Sequence, residues 1–165
     1  MPGQLGEYRT LSTLGAGANY KLKLASHTKT DYQVVIKIMK GAHSASTAAA
    51  LEHPNIQKVT QKLTVGPYKK DNEEKKEEEV SYAVLELCAQ GPLFGVVAET
   101  GRLDEAEARY FFKQMVNAVK HAHEQGVAHG ALKAENILMG ANFTVKMSDF
   151  GNGAPAGYDG YVAPE

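Results

Sequence analysis

Apolar positions recur at two different periods along the chain, and the change of period divides it. In the first half the pattern is that of strands. Residues 8–14 and 20–26 form β-type runs, and the second sets Leu22 and Leu24 against Lys21 and Lys23 at period two. Residues 31–39 carry Val34, Val35 and Ile36 in succession, which suits a strand covered on both faces. Residues 56–65 and 80–87 read as two further strands. Residues 42–52 hold strong helix formers behind Ser and Thr and end at the breaker His53-Pro54, which predicts one short helix.

In the second half the period becomes helical. Over 105–125 the set Ala108, Phe111, Met115, Val119 and Ala122 follows one face, Asp104 and Glu107 form a capping pair at the start, and Gly126 ends it. Two short β runs follow at 137–139 and 144–147, around the turn Gly140-Ala141-Asn142. Residues 151–160 are rich in glycine and read as a loop. Residues 69–79 (KKDNEEKKEEE) hold four Lys and six acidic residues and are expected to be a solvated, charged loop between two strands.

Composition narrows the function classes. The 165 residues carry 18 Lys+Arg against 19 Asp+Glu, a formal net charge of −1, which gives neither a footprint for nucleic acid nor a polybasic membrane patch. No apolar run has the length of a membrane span, and the first residues lack a signal-peptide pattern. The one cysteine, Cys88, suits a reducing compartment, so a cytoplasmic or nuclear location is expected. The basic residues are 15 Lys and three Arg, at positions 9, 102 and 109.

The motifs carry more information. Gly15-Ala16-Gly17 joins two strands, which excludes a dinucleotide fingerprint, since that requires a helix after the glycines, and leaves a hairpin lid over phosphates as the functional reading. Lys37 closes the run Val34-Val35-Ile36. Further on come His129-Gly130-Ala131-Leu132-Lys133-Ala134-Glu135-Asn136, then Ser148-Asp149-Phe150-Gly151, and finally Ala163-Pro164-Glu165. These five motifs, in this order, resemble the eukaryotic protein kinase family: the glycine loop, V-A-I-K, H-R-D-L-x-x-x-N, D-F-G and A-P-E. His53-Pro54-Asn55-Ile56 and the stretch LELCAQGPLF are similar to Ser/Thr kinases of the calcium/calmodulin- and AMP-activated type.

The resemblance implies an α+β, protein-kinase-like fold. Residues 1–87 would be the small lobe, a five-stranded antiparallel sheet with one shortened helix. Residues 88–165 would be a partial, mainly helical large lobe ending at A-P-E. It also implies an ATP and Mg²⁺ site. Gly15 and Gly17 would cover the phosphates and Lys37 would reach them. The backbone of Glu86 and Cys88 would meet adenine over Leu138, and Asn136 with Asp149 would hold Mg²⁺.

Several positions depart from the family's pattern. Ala131 stands where an Asp would accept the substrate hydroxyl proton, although Lys133 of the same loop is retained. Gly130 replaces the Arg that would pair with a phosphorylated loop, and no Arg follows Arg109. Counting back from His53 puts Ser44 where the partner Glu of Lys37 should stand. Val35 replaces a small residue above adenine, and Tyr20 takes the place of the third glycine. These departures favour a pseudokinase with weak or absent ATP binding, acting as a binding or scaffold module. They leave open a low-activity Ser/Thr kinase and a decayed or incomplete gene product. With the rest of a large lobe absent, Phe111 and Phe112 are expected to face water unless a protein partner covers them.

Overall fold

The alternating segments of the first half pair into one antiparallel sheet. A computed structural model describes residues 3–17, 19–39, 51–70, 77–151 and 161. Its strands are β1 (Gly3–Leu5), β2 (Tyr8–Ala16), β3 (Tyr20–His27), β4 (Gln33–Met39), β5 (Val59–Lys70) and β6 (Glu77–Glu86). They run in the order β1-β2-β3-β4-β6-β5 and close into a barrel. The expected five-stranded sheet is therefore corrected to six strands. The added strand, β1, pairs with Tyr8–Thr10 on one side and Tyr68–Lys70 on the other. Its three residues are too short to display a period. Their register nevertheless depends on sequence, because a Cβ on Gly3 would lie 2.3 Å from the Lys69 carbonyl oxygen.

The barrel core gathers Leu5, Ala25, Val34, Ile36, Ile38, Tyr68, Val80, Tyr82 and Val84. In β4 this takes alternate residues, so Val35, Lys37 and Met39 occupy the opposite face. The apolar half of the β3 alternation, Leu22 and Leu24, pairs with Lys37 and Val35 and is only half-buried. Lys23 is the buried member, and its Nζ donates to Thr13 Oγ1 at 2.8 Å. The expected loop over 69–79 is corrected at its two ends, where residues 69–70 and 77–79 belong to strands. The β5–β6 ladder continues to Lys69↔Glu77, where the two side chains form an exposed ion pair at 2.5 Å. Opposite charges facing each other across a ladder support pairing that composition alone reads as loop. Residues 71–76 lie outside the described residues, as do most of the expected helix over 42–52, including Ser44, and all but Gly151 of the expected loop over 151–160.

The chain forms two compact units, one of Met1–Ala45 with Val59–Leu87 and one of Ser46–Lys58 with Cys88–Glu165. In the second, α1 (Leu93–Thr100) and α2 (Glu105–Glu124) accompany the hairpin of β7 (Ile137–Met139) and β8 (Val145–Met147). α2 begins at the expected capping box. Asp104 accepts from the Glu107 backbone N–H at 2.8 Å, and Glu107 accepts from that of Asp104 at 3.0 Å. Its buried residues are Phe111, Ala118 and Ala122, with Met115 and Val119 packed at the edge of the core and Ala108 exposed. Phe111 is thus covered, contrary to expectation, whereas Phe112 is 63% exposed. α1 gives no sequence signal because Gly95, Val96 and Val97 are poor helix formers and Pro92 offers no side-chain cap. No described helix is long and apolar enough to cross a membrane.

A polar knot ties residues 53–57 to this unit. The buried Asn55 Nδ2 donates to Gln114 Oε1 at 2.8 Å and to the Val145 carbonyl at 3.0 Å, and Gln114 Oε1 also accepts from the Val145 N–H. The Met147 N–H donates to the Asn55 carbonyl, and Gln57 donates to that of Met147. Beside it, His53 Nδ1 accepts from the Asn55 N–H at 3.0 Å while its ring lies 5.1 Å from that of His121. Burial, followed by His121 and Lys146, holds the His53 pKa below the ordinary histidine value.

Asn55→Ala is expected to lower stability by about 1–3 kcal/mol, the cost of leaving buried acceptors unsatisfied, read as a shift of the urea midpoint without a change in slope. A histidine with a depressed folded pKa binds more protons when unfolded, so its stabilising contribution is lost as pH falls through and below about 6.5. His53→Asn retains an acceptor but cannot titrate. Urea midpoints between pH 7 and pH 5 should therefore fall less steeply in this variant than in the parent, and parallel curves would contradict the assignment.

Candidate functional site

In the first unit the glycine turn is built by β2 and β3. The Gly17 N–H donates to the Tyr20 carbonyl at 3.0 Å, and two register shifts in β2, between Thr10 and Ser12 and between Thr13 and Gly15, bend the strand ahead of the turn. Gly15 has open space around its missing Cβ. Gly17 does not, since a Cβ there would stand 2.6 Å from Cε1 of the Tyr20 ring. The ring folds back over the turn, and Lys37 Nζ lies 4.5 Å from its centroid. The sheet dictates this meeting. Lys37 is opposite Leu22 and Met39 opposite Tyr20, so Tyr20 and Lys37 are diagonal neighbours on one face. The sequence marks Tyr20 as a departure from the glycine pattern, but the ring contact with Lys37 becomes readable only from the β3–β4 register. At the end of the same sheet, Glu86 is half-buried and paired with Val34.

In the second unit, Cys88 is buried and its carbonyl accepts from the Gly91 N–H at 3.0 Å. The Met139 N–H donates to the Gly91 carbonyl at 2.8 Å, and Leu138 bridges to Pro92. Cys88 and Leu138 are thus held to neighbouring pieces of backbone.

The loop after α2 carries the remaining expected residues. His129 is 3% exposed, and its Nδ1 accepts from the Ala131 N–H at 3.2 Å. Its ring packs at a tilt of 46° against that of Phe150, centroid to centroid 4.4 Å. Burial lowers its pKa, opposed first by the nearby Asp149, so the imidazole is held neutral in most of the physiological range. Its Nε2 is buried without a hydrogen-bond partner. Ala131 itself is 4% exposed.

Asn136 connects the two loops. Its Nδ2 donates to the Ala131 carbonyl at 2.8 Å, its own N–H donates to Lys133, and its carbonyl accepts from both the N–H and the hydroxyl of Ser148. Asp149, the next residue, adopts φ 63°, a left-handed conformation that Asp tolerates better than most side chains. Gly151 then donates to the carbonyls of Ala128 and His129. Ala131, Lys133 and Ser148, the residue before Asp149, are therefore tied together by the side chain and backbone of Asn136. The use of Asn136 Nδ2 within the protein leaves Oδ1 as the side-chain atom with which Asn136 could ligate a metal. An amide oxygen together with an Asp carboxylate would be a hard oxygen set, of the chemistry that suits Mg²⁺ bound through few protein groups and completed by phosphates and water. Among the described residues, no group of three or more His, Cys, Asp or Glu could hold a metal by itself.

Comparison with known proteins identifies the family of the chain. The family described as protein kinase domain matches residues 8–163. CBL-interacting serine/threonine-protein kinase 9 of Arabidopsis thaliana is 34% identical over 98% of this chain and 39% of its own length. CBL-interacting serine/threonine-protein kinase 24 of the same plant is 35% identical, with the same coverage. Among solved structures, Rad53 1–466 in complex with AMP-PNP matches with a TM-score of 0.70 and 26% identity, over 88% of this chain and 38% of that one. The chain spans about two fifths of the length of these relatives. With the glycine turn, Lys37, the Asn136 loop and Asp149-Phe150-Gly151 all in the family's order, the chain belongs to the protein kinase domain family.

Proposed function

We propose that this kinase domain is a pseudokinase, a binding or scaffold module that holds Mg-nucleotide weakly and does not transfer phosphate at an enzyme's rate. Ala131 carries the reading. It occupies the position at which the family accepts the substrate hydroxyl proton, and a buried methyl cannot accept one. Losing a general base costs on the order of 10²- to 10⁴-fold in rate. Glu135 is the nearest carboxylate in the loop, but it is exposed and four residues away.

Nucleotide would bind through what is retained. Lys37 would meet the phosphates under the Gly15 and Gly17 turn. The backbone at Glu86 and Cys88 would receive adenine, with Leu138 below it, and Asn136 and Asp149 would hold Mg²⁺. The bound metal would supply charge neutralisation between phosphates. These same residues favour the second reading, a slow Ser/Thr kinase working by positioning alone. A protein partner over the exposed side of α2, where Tyr110, Phe112 and Val116 are 53%, 63% and 47% exposed, belongs to the proposal, as does a cytoplasmic or nuclear setting.

Thermal unfolding with ATP tests the nucleotide site. At a few times Kd the midpoint should rise by about 2–4 °C with Mg²⁺ present. Asn136→Ala and Asp149→Ala should each remove the Mg²⁺-dependent part, and no rise at millimolar ATP would end the nucleotide reading. In a labelled-phosphate assay the parent should transfer nothing above background to itself or to generic protein substrates. Transfer by the parent that is lost in Lys37→Met would favour the slow kinase instead.

A further inference from the structure

An aromatic ring of the protein itself lies against the Lys37 ammonium. Tyr20 lies diagonally across the β3–β4 ladder from Lys37, its ring 4.5 Å from Nζ, and the missing Cβ of Gly17 is what gives that ring room. A cation over an aromatic face is attracted to the ring's electron-rich centre. We propose that Tyr20 is an internal competitor for Lys37, a clamp that an anionic phosphate ligand must displace to reach the ammonium. This rests on the reading of Lys37 as the phosphate contact. It also goes beyond that reading, because it makes the weakness of nucleotide binding a property of one side chain and not only of missing groups.

The geometry supports competition in three ways. Tyr20 and Lys37 are both half-buried, so the pair is partly shielded from the water that would weaken it. Both residues sit on strands and not on the turn itself, so the ladder sets their spacing. Gly17 is bonded to Tyr20 through its backbone, so a ligand that lifts the ring would also disturb the turn expected to cover phosphates.

Lysine acetylation read by mass spectrometry tests the clamp without nucleotide, with exposed Lys62 as the internal standard. Tyr20→Leu and Tyr20→Gln remove the aromatic face, and Tyr20→Phe keeps it. Lys37 labelling should rise about two- to five-fold in the first two and stay at the parent level in Tyr20→Phe, the range set by a partly exposed cation–π pair. Circular dichroism confirms the fold of each variant, and two non-aromatic substitutions guard against the loss of one. Equal labelling in all four chains overturns the proposal.

The second arm adds MgATP. Half-protection of Lys37 in Tyr20→Leu should need about two- to five-fold less ATP than in the parent. A requirement for more ATP would mean that Tyr20 supports the ligand, and would overturn competition. If ATP protects Lys37 in neither chain, the nucleotide reading fails, while the labelling arm still decides whether the clamp exists.

Discussion

The second unit depends on the burial of one side chain, Phe150. It has no exposed surface, packs in the core with Ile56, Phe111, Ala118 and Met147, and lies against the ring of His129. Its neighbours in sequence are thereby fixed. Asp149 must turn through a left-handed conformation to let the chain enter the core, and Gly151 must face the carbonyls of Ala128 and His129 on leaving it. Two loops that carry the candidate chemistry are joined through an apolar residue that performs none. The order of the loops therefore does not depend on which side chain stands at position 131. Ala131 asks nothing of the frame that a larger acid would not, since its backbone N–H and carbonyl are both used by His129 and Asn136.

The frame and the reactive groups obey different constraints. Burying His129 leaves Nε2 without a partner and makes the charged ring unfavourable, so that ring serves as a neutral acceptor and a packing surface. Such costs are tolerated where packing compensates. The side chain at position 131 is under no equivalent constraint, because the hydrogen bonds made there are those of the Ala131 backbone. Asn136 is in the opposite position: its amide fastens the loop, so the proposed metal ligand would be retained even without a metal to hold.

How much of this could be read in the sequence follows the same division. The α2 start was readable to the residue, because Asp104 and Glu107 satisfy local donors that no tertiary contact alters. β3 and β4 were readable as strands, but their faces were not. Lys23 looked like the solvent side and is buried, since the closed barrel decides which face is inside. β1 is too short to have a period, and α1 is held by packing of Leu93 in the core against its own propensity. The ends of the charged run, residues 69–70 and 77–79, are strand and not loop because opposite charges that would solvate a loop can equally face each other across a ladder. The family resemblance singles out Ala131, Lys133, Asn136 and Asp149 by motif, while the bonds from Asn136 to Ala131, Lys133 and Ser148 are seen only in the structure. It treated Tyr20 only as a lost glycine, and the contact with Lys37 required the β3–β4 register.

The path of the chain between the units has a consequence for how the protein must fold. Ser46–Lys58 belongs with the second unit although it is flanked by strands of the first, and Asn55 is bonded to residues as distant in sequence as Val145. β5 and β6 therefore cannot be joined to β4 as a simple continuation. The barrel closes only across a loop whose middle is held elsewhere, so neither unit can be copied out as an uninterrupted stretch of chain. Contacts between residues far apart in sequence carry a loop-closure cost before they return any stabilisation, and they slow folding. During synthesis, the segment around Asn55 would emerge long before β8, its eventual partner. Its buried polar groups would have to remain hydrated until Val145 and Met147 arrive.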